Sequence, residues 1–133
     1  MNVRKYKDSD LDGVNVILEE AFSLNKSDFS LDSCHEIVCE IDNVICGYLL
    51  LTKVFDPVKK LNYYLVDYVC TLSKYRGLGV GKALMKYAEE VAKDENASYL
   101  QLTCGFERVA AHRLYEECGF IKRDSDIFRK VLQ

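Results

Sequence analysis

Three glycines at alternate positions, Gly77, Gly79 and Gly81, lie between two cations in the run Tyr75-Arg76-Gly77-Leu78-Gly79-Val80-Gly81-Lys82. Glycine allows a left-handed backbone and lets a ligand approach without meeting a Cβ. Val80, Ala83, Leu84, Tyr87, Ala88 and Val91 then fall on one apolar stripe at helical period. The preceding stretch, Leu61 to Leu72, is rich in Tyr, Val and Leu and reads as a strand. The unit is therefore strand, glycine-rich turn, helix. A helix's first turn has N–H groups without helical acceptors and carries the positive end of the dipole. Such a turn suits an anion, and phosphate is the usual one. Arg76 and Lys82 would add two positive charges.

The spacing narrows the choice of phosphate ligand. A dinucleotide fingerprint needs G-x-G-x-x-G; Gly77 and Gly79 fit, but Lys82 stands where the third glycine should be. A P-loop needs glycine at position 76 and Ser or Thr at 83, where this chain has Arg76 and Ala83. What remains is Arg-x-x-Gly-x-Gly, formed by Arg76, Gly79 and Gly81. A turn that binds nothing is the competing reading.

Composition sets wider bounds. A chain of 133 residues suits one domain, 1–133. Its 49% hydrophobic and 29% charged residues are ordinary for a globular protein. A net charge of −3 gives no support for nucleic-acid or anionic-membrane partners. No apolar run approaches the ~20 residues of a membrane span, and the first residues lack a signal-like apolar core. A cytoplasmic protein is expected. The six cysteines form no C-x-x-C pair and there are only two histidines, so buried reduced thiols and no metal site are expected.

The other elements must position this loop. Asn2 to Tyr6 reads as a short strand. Asp8 looks like the N-cap of a helix whose stripe is Leu11, Val14, Ile17, Leu18, Ala21 and Phe22. Residues 23–33 read as a loop with at most one helical turn. His35 to Ile41 and Val44 to Val54 read as a hairpin about Asp42-Asn43. With Leu61 to Leu72 they make an antiparallel meander. Ala97 to Cys104 reads as a strand parallel to Leu61–Leu72, since a helix crosses between them. Arg108 to Cys118 reads as a second amphipathic helix ending at Gly119. Phe120 to Arg123 and Ile127 to Leu132 read as a last hairpin.

That element order, the Arg76–Gly81 loop, and the run Ala111-His112-Arg113-Leu114-Tyr115-Glu116-Glu117-Cys118-Gly119-Phe120 together resemble the GNAT superfamily of N-acetyltransferases. The resemblance covers nearly the whole chain and is weakest at 23–33. It implies a mixed α/β sheet of about six to seven strands with a splayed parallel pair, flanked by three to four helices. It implies acetyl-CoA as co-substrate, its diphosphate on Arg76, Gly77, Leu78, Gly79, Val80, Gly81 and Lys82, and its pantetheine arm along Val69, Cys70 and Thr71.

The resemblance also makes Tyr115 the proton donor to the leaving sulfur; on helical pattern alone Tyr115 is a core residue. A phenol with a pKa near 10 is protonated at neutral pH. The general base is not legible. Thr103 stands where some members carry a glutamate, leaving Asp67, Glu107 or a water chain, and Asp67 could instead bind a cationic amine. Arg108 replaces an asparagine common in the family and could reach a phosphate or cap the helix, and His112 reads as a polar helix residue. The expected reaction is direct transfer of acetyl to an amine, on a small molecule or a protein, in a ternary complex, with a homodimer possible. A non-catalytic acyl-CoA-binding regulatory module is the alternative.

Overall fold

The computed structural model describes residues 1–29 and 31–133. The elements in order are β1 (Asn2–Lys5), a 3-10 turn (Asp8–Asp10), α1 (Leu11–Phe22), β2 (Cys34–Ile41), β3 (Val44–Asp56), β4 (Leu61–Thr71), a second 3-10 turn (Ser73–Tyr75), α2 (Val80–Asp94), β5 (Leu100–Gln101) and α3 (Val109–Glu117). The strands form one sheet in the order β1-β2-β3-β4-β5. The first four are antiparallel neighbours, and β4 and β5 are parallel. The mixed α/β fold is thus the one the element order implied.

The hairpin turn behaves as its residues dictate. Asp42 and Asn43 both take positive φ, 49° and 64°, as a two-residue hairpin turn of the I′ kind requires. The parallel crossover is anchored by the stacked rings of Tyr63 and Tyr99, 4.6 Å apart. Backbone bonds from Ser98 to Asn62 and from Tyr64 to Tyr99 add to it.

Each face of the sheet has its own core. Val14, Ile17 and Leu18 of α1 pack on Val38, Tyr48 and Cys70. On the other face, Val80, Leu84, Met85, Ala88 and Val91 of α2 and Tyr115 of α3 pack on Ile37, Leu49, Leu51, Tyr64 and Val66. The helical stripe read from the sequence is the buried one. Gly47 sets how closely α2 approaches β3: a Cβ there would lie 2.5 Å from Val80 Cγ1 and 3.2 Å from Cys39 Cβ. Gly47→Ala is therefore expected to lower stability by about 2 kcal/mol through overpacking, measured by urea unfolding.

Three sequence expectations need correction. Asp8 is not a cap for α1; it opens the 3-10 turn, and α1 follows Asp10, whose carboxylate is committed elsewhere. It accepts two bonds from Arg4, at 2.7 and 2.9 Å, and one from the Lys7 N–H at 2.9 Å. The strand expected over 97–104 pairs only at Leu100 and Gln101. The expected hairpin over 120–132 is absent, because a strand needs a ladder partner and these residues have none among the described residues. Among the described residues the sheet therefore has five strands rather than six or seven, with three α-helices. No helix forms among the described residues of 23–33, and Ser30 of that loop lies outside them.

Asp10 is 5% exposed. The Arg4 guanidinium holds its carboxyl below the ordinary carboxylate range, against the upward push of burial. A depressed folded-state pKa stabilises above the unfolded value and is lost as pH falls through the folded one. Asp10→Asn should cost about 2 kcal/mol at pH 7, since it leaves Arg4 without its charged partner on that side. Thermal melts from pH 7 to pH 2 check this: the variant's deficit should shrink as the wild-type carboxylate protonates.

Candidate active site

The glycine-rich turn joins β4 to α2 through the Ser73–Tyr75 turn. That turn is tied to α1, because the Ser73 N–H and hydroxyl both donate to the Glu20 carboxylate, at 2.8 and 3.3 Å. Gly77 and Gly79 have φ of 79° and 84°, and a Cβ on either would meet nothing within 4 Å. Their faces are open to a ligand, and their backbone is one that other residues resist. The first helical bond of α2 runs from the Ala83 N–H to the Gly79 carbonyl. The N–H groups of Gly77 through Lys82 have no acceptor among the described residues. A diphosphate would fit this cradle.

The flanking residues divide. Arg76 is exposed at the mouth of the turn. Lys82 Nζ sits 2.8 Å from Glu117 Oε2, an exposed pair joining α2 to α3. Gly81 faces α3: a Cβ there would lie 2.9 Å from Leu114 Cδ2. Its smallness is used for helix packing, and that packing carries Tyr115 on the neighbouring helix.

A second open surface is the edge of β4. Its register with β5 stops at Leu65–Gln101, so among the described residues β4 has no strand neighbour on that side from Val66 to Thr71. Val69, Cys70 and Thr71 lie on this free edge, where an extended peptide-like arm could pair as a strand would. The strand is also bulged there. Tyr48 pairs with Cys70 and Leu50 with Asp67, so two steps on β3 match three on β4. Tyr68 takes the strained conformation, with φ of 56°. A bulge re-aims backbone groups and marks functional sites more often than plain strand.

Tyr115 is 8% exposed on the inner face of α3. Burial raises its pKa, while Arg108 pulls it the other way, and Cys104, Cys118 and Cys70 push it further up. Its ring meets Phe120 edge-on with centroids 5.9 Å apart. The hydroxyl therefore stays protonated at neutral pH. Burial also pushes the Cys70 thiol up to about 12. A thiol so rarely ionised is a poor nucleophile, so an acyl-cysteine step finds no support. Arg108 takes the position before α3 but makes no side-chain cap bond. The His112 ring bonds the Gly105 carbonyl at 2.9 Å, which ties α3 to the loop before it. Asp67 is exposed beside the bulge, and Thr103 and Glu107 are exposed near α3.

The sequence reading missed a cavity of ≈ 400 Å³ on the α1 face. Leu18, Leu24, Phe29, Leu31, Leu50 and Tyr68 give it apolar walls. Its polar floor is Glu36, which accepts from the Tyr48 hydroxyl at 2.7 Å and pairs with Lys26 at 3.3 Å. Lys26 also lies over the Tyr6 ring, 4.4 Å from its centroid. The Tyr6 hydroxyl is buried without a hydrogen-bond partner among the described residues. Tyr68 joins the cavity to the bulged edge. The sequence marks this place only by Glu36 near the start of β2, and that says nothing about what faces it.

Comparison with known proteins agrees with this geometry. The Acetyltransferase (GNAT) family matches residues 5–120. An uncharacterised N-acetyltransferase of Methanocaldococcus jannaschii is 31% identical over all of this chain and 85% of its own. Among solved structures, a ribosomal-protein-alanine N-acetyltransferase of Brucella melitensis superposes with a TM-score of 0.85, at 17% identity over 99% of this chain and 100% of its own. The aminoglycoside acetyltransferase AAC(6′)-Iy, in complex with a coenzyme A bisubstrate analogue, gives 0.86 at 14% identity, over 99% of this chain and 98% of its own. The chain belongs to the GNAT acetyltransferase family. It is an acetyltransferase whose acceptor none of these likenesses names.

Proposed function

We propose that this chain is a single-domain, cytoplasmic N-acetyltransferase that moves acetyl from acetyl-CoA directly to an amine. The observation that carries the reading is the continuity of two open surfaces, the unpaired N–H cradle at 77–82 and the free, bulged edge of β4. In this reading the cradle and Arg76 hold the diphosphate, with Lys82 exchanging Glu117 for a phosphate oxygen. Val69, Cys70 and Thr71 pair with the pantetheine arm. A freed N–H at the bulge stabilises the developing oxyanion. Tyr115 protonates the departing sulfur. Six free thiols suit a reducing compartment.

The acceptor enters from the α1 face, through the cavity that Tyr68 lines. Its apolar walls favour an amine on an apolar body, such as a peptide amino terminus or an aryl-alkyl amine. A polyhydroxylated polycation suits it less, because Glu36, the one carboxylate among the described residues that line the cavity, is already engaged by Lys26 and Tyr48. Asp67, exposed at the bulge, is placed to meet an incoming ammonium or to relay its proton to water.

Two measurements test the proposal. Calorimetry should show acetyl-CoA binding at micromolar concentrations. Thiol release should then be faster with apolar amines and peptides than with aminoglycosides. Binding with no turnover on either panel would favour the acyl-CoA-binding module instead, and no binding at all would end the reading.

A further inference from the structure

The floor of the α1-side cavity holds an ammonium of the chain's own. Lys26 Nζ donates to the Ser27 carbonyl at 2.7 Å, lies 3.3 Å from Glu36 Oε1 and sits over the Tyr6 ring, 4.4 Å from its centroid. A carboxylate, a carbonyl and an aromatic face are the partners a primary ammonium takes when it leaves water. The arrangement is fixed from both sides. The Lys26 N–H donates to Asn15 Oδ1 at 2.7 Å, and the Asn15 amide donates to the Lys26 carbonyl at 3.3 Å, which ties this loop to α1. Glu36 accepts from the Tyr48 hydroxyl at 2.7 Å, and its backbone carbonyl accepts from the Tyr6 N–H at 2.9 Å. The Lys26 and Glu36 side chains are 13% and 9% exposed, so dissolved ions screen the pair little.

That pair sets the charge of the cavity, because the other described residues that line it carry none. Glu36 without a cation would make the floor anionic and favour a cation brought in by the acceptor. With Lys26 beside it the floor is neutral. A second ammonium on an acceptor would then shed its water against apolar walls and meet no net charge in return. The register shows that such a group would arrive there. Glu36 pairs with Leu50 across β2 and β3, and Leu50 pairs with Asp67 across β3 and β4. Two strand spacings, on the order of 10 Å, therefore separate the Glu36 backbone from the bulged edge where the reacting amine is proposed to sit. An alkyl diamine of that length would carry its far ammonium to Lys26 and Glu36.

We propose that Lys26 determines acceptor specificity: as a resident ammonium on Glu36, it restricts the cavity to acceptors whose single amine is the one acetylated, and it turns away diamines. The proposal rests on the reading that the acceptor enters through this cavity, and it adds the residue that sets the charge requirement there. Lys26 takes the place that the distal ammonium of a diamine would otherwise take. Selectivity should then follow the charge of the floor. The Lys26–Glu36 pair is neutral in wild type, negative in Lys26→Met, positive in Glu36→Gln and neutral again in the double variant. A lysine that only holds loop 24–29 in place would change stability without producing that order.

The test is kcat/KM for hexylamine and for hexamethylenediamine, which differ only in the second amine, measured with acetyl-CoA for wild type and the three variants. Wild type should prefer hexylamine. Lys26→Met should shift the ratio toward the diamine by about tenfold or more, the scale of one close charge pair. Glu36→Gln should shift it further toward hexylamine, and the double variant should return near the wild-type ratio. Should Lys26→Met not fold, Glu36→Gln and the double variant against wild type still decide. One ratio shared by all the folded proteins overturns the proposal while leaving the cavity as the acceptor's entry. A wild type that prefers the diamine overturns it as well. Failure of the underlying reading has a different signature: acetyl-CoA binds by calorimetry, yet no protein acetylates either amine, and both then fall.

Discussion

Replacing Tyr115 by phenylalanine should lower kcat at neutral pH by about 10²-fold or more, the usual scale for a lost general acid. KM for acetyl-CoA should change little, because the proposed diphosphate and pantetheine contacts come from other elements. The substitution removes one oxygen and keeps the ring that packs on Phe120. Tyr115 is 8% exposed and sits in the core with Val80 and Leu84. Melting should therefore shift by no more than about 1 kcal/mol equivalent, the scale of a single hydrogen bond. Turnover separates a proton donor from a core tyrosine: a packing role, which the retained ring still fills, predicts preserved kcat. The direction of the pKa shift adds a second readout. Burial moves the phenol above its ordinary value despite Arg108. Wild-type activity should accordingly show no alkaline fall from this group below about pH 10. Steady-state thiol release across pH, for both proteins, measures all three quantities. An unchanged kcat in the variant would remove Tyr115 from the chemistry.

Much of this arrangement was legible because local patterns and tertiary contacts agree. The stripe from Val80 to Val91 is buried as its period requires, and Asp42-Asn43 turns the hairpin its residues favour. The alternate glycines at 77 and 79 stand where left-handed backbone is needed. Gly81 belongs to the same run for another reason, contact with Leu114 across two helices, which no local pattern reports. Pairing in space was the harder matter. A run such as Ile127–Leu132 has strand character, but a strand also needs a neighbour, and the described residues supply none. Ala97–Cys104 pairs over two residues for a related reason: its partner strand bulges at Tyr68 and the two diverge. The bulge has no sequence mark, since tyrosine disfavours positive φ. The α1-side cavity was equally silent, because Lys26, Glu36, Tyr48 and Tyr68 come from a loop and three separate strands.

Gly79→Glu should weaken acetyl-CoA binding by at least about 10²-fold, an effect of about 2.7 kcal/mol or more. Three physical terms act in the same direction. At φ of 84°, Gly79 holds a left-handed backbone immediately before α2. A residue with a Cβ costs roughly 1–2 kcal/mol there. Relaxing toward negative φ would re-aim the N–H groups that form the cradle. The added side chain would also occupy the open space facing Gly79, where no atom of the described residues lies within 4 Å of a Cβ. Finally, a carboxylate there would repel a diphosphate at the one place where Arg76, Lys82 and the helix dipole otherwise attract it. Because the space is open, the fold should survive with only the backbone strain as its deficit. Gly79→Ala separates the terms: it keeps the strain and omits the charge and most of the bulk. The alanine variant should therefore bind more weakly than wild type but more tightly than the glutamate variant. Calorimetric titration of acetyl-CoA into all three proteins, each checked by urea unfolding, supplies the comparison. Equal affinity in wild type and Gly79→Glu would mean that the diphosphate binds elsewhere, and the proposed orientation of the thioester toward Tyr115 would fail with it.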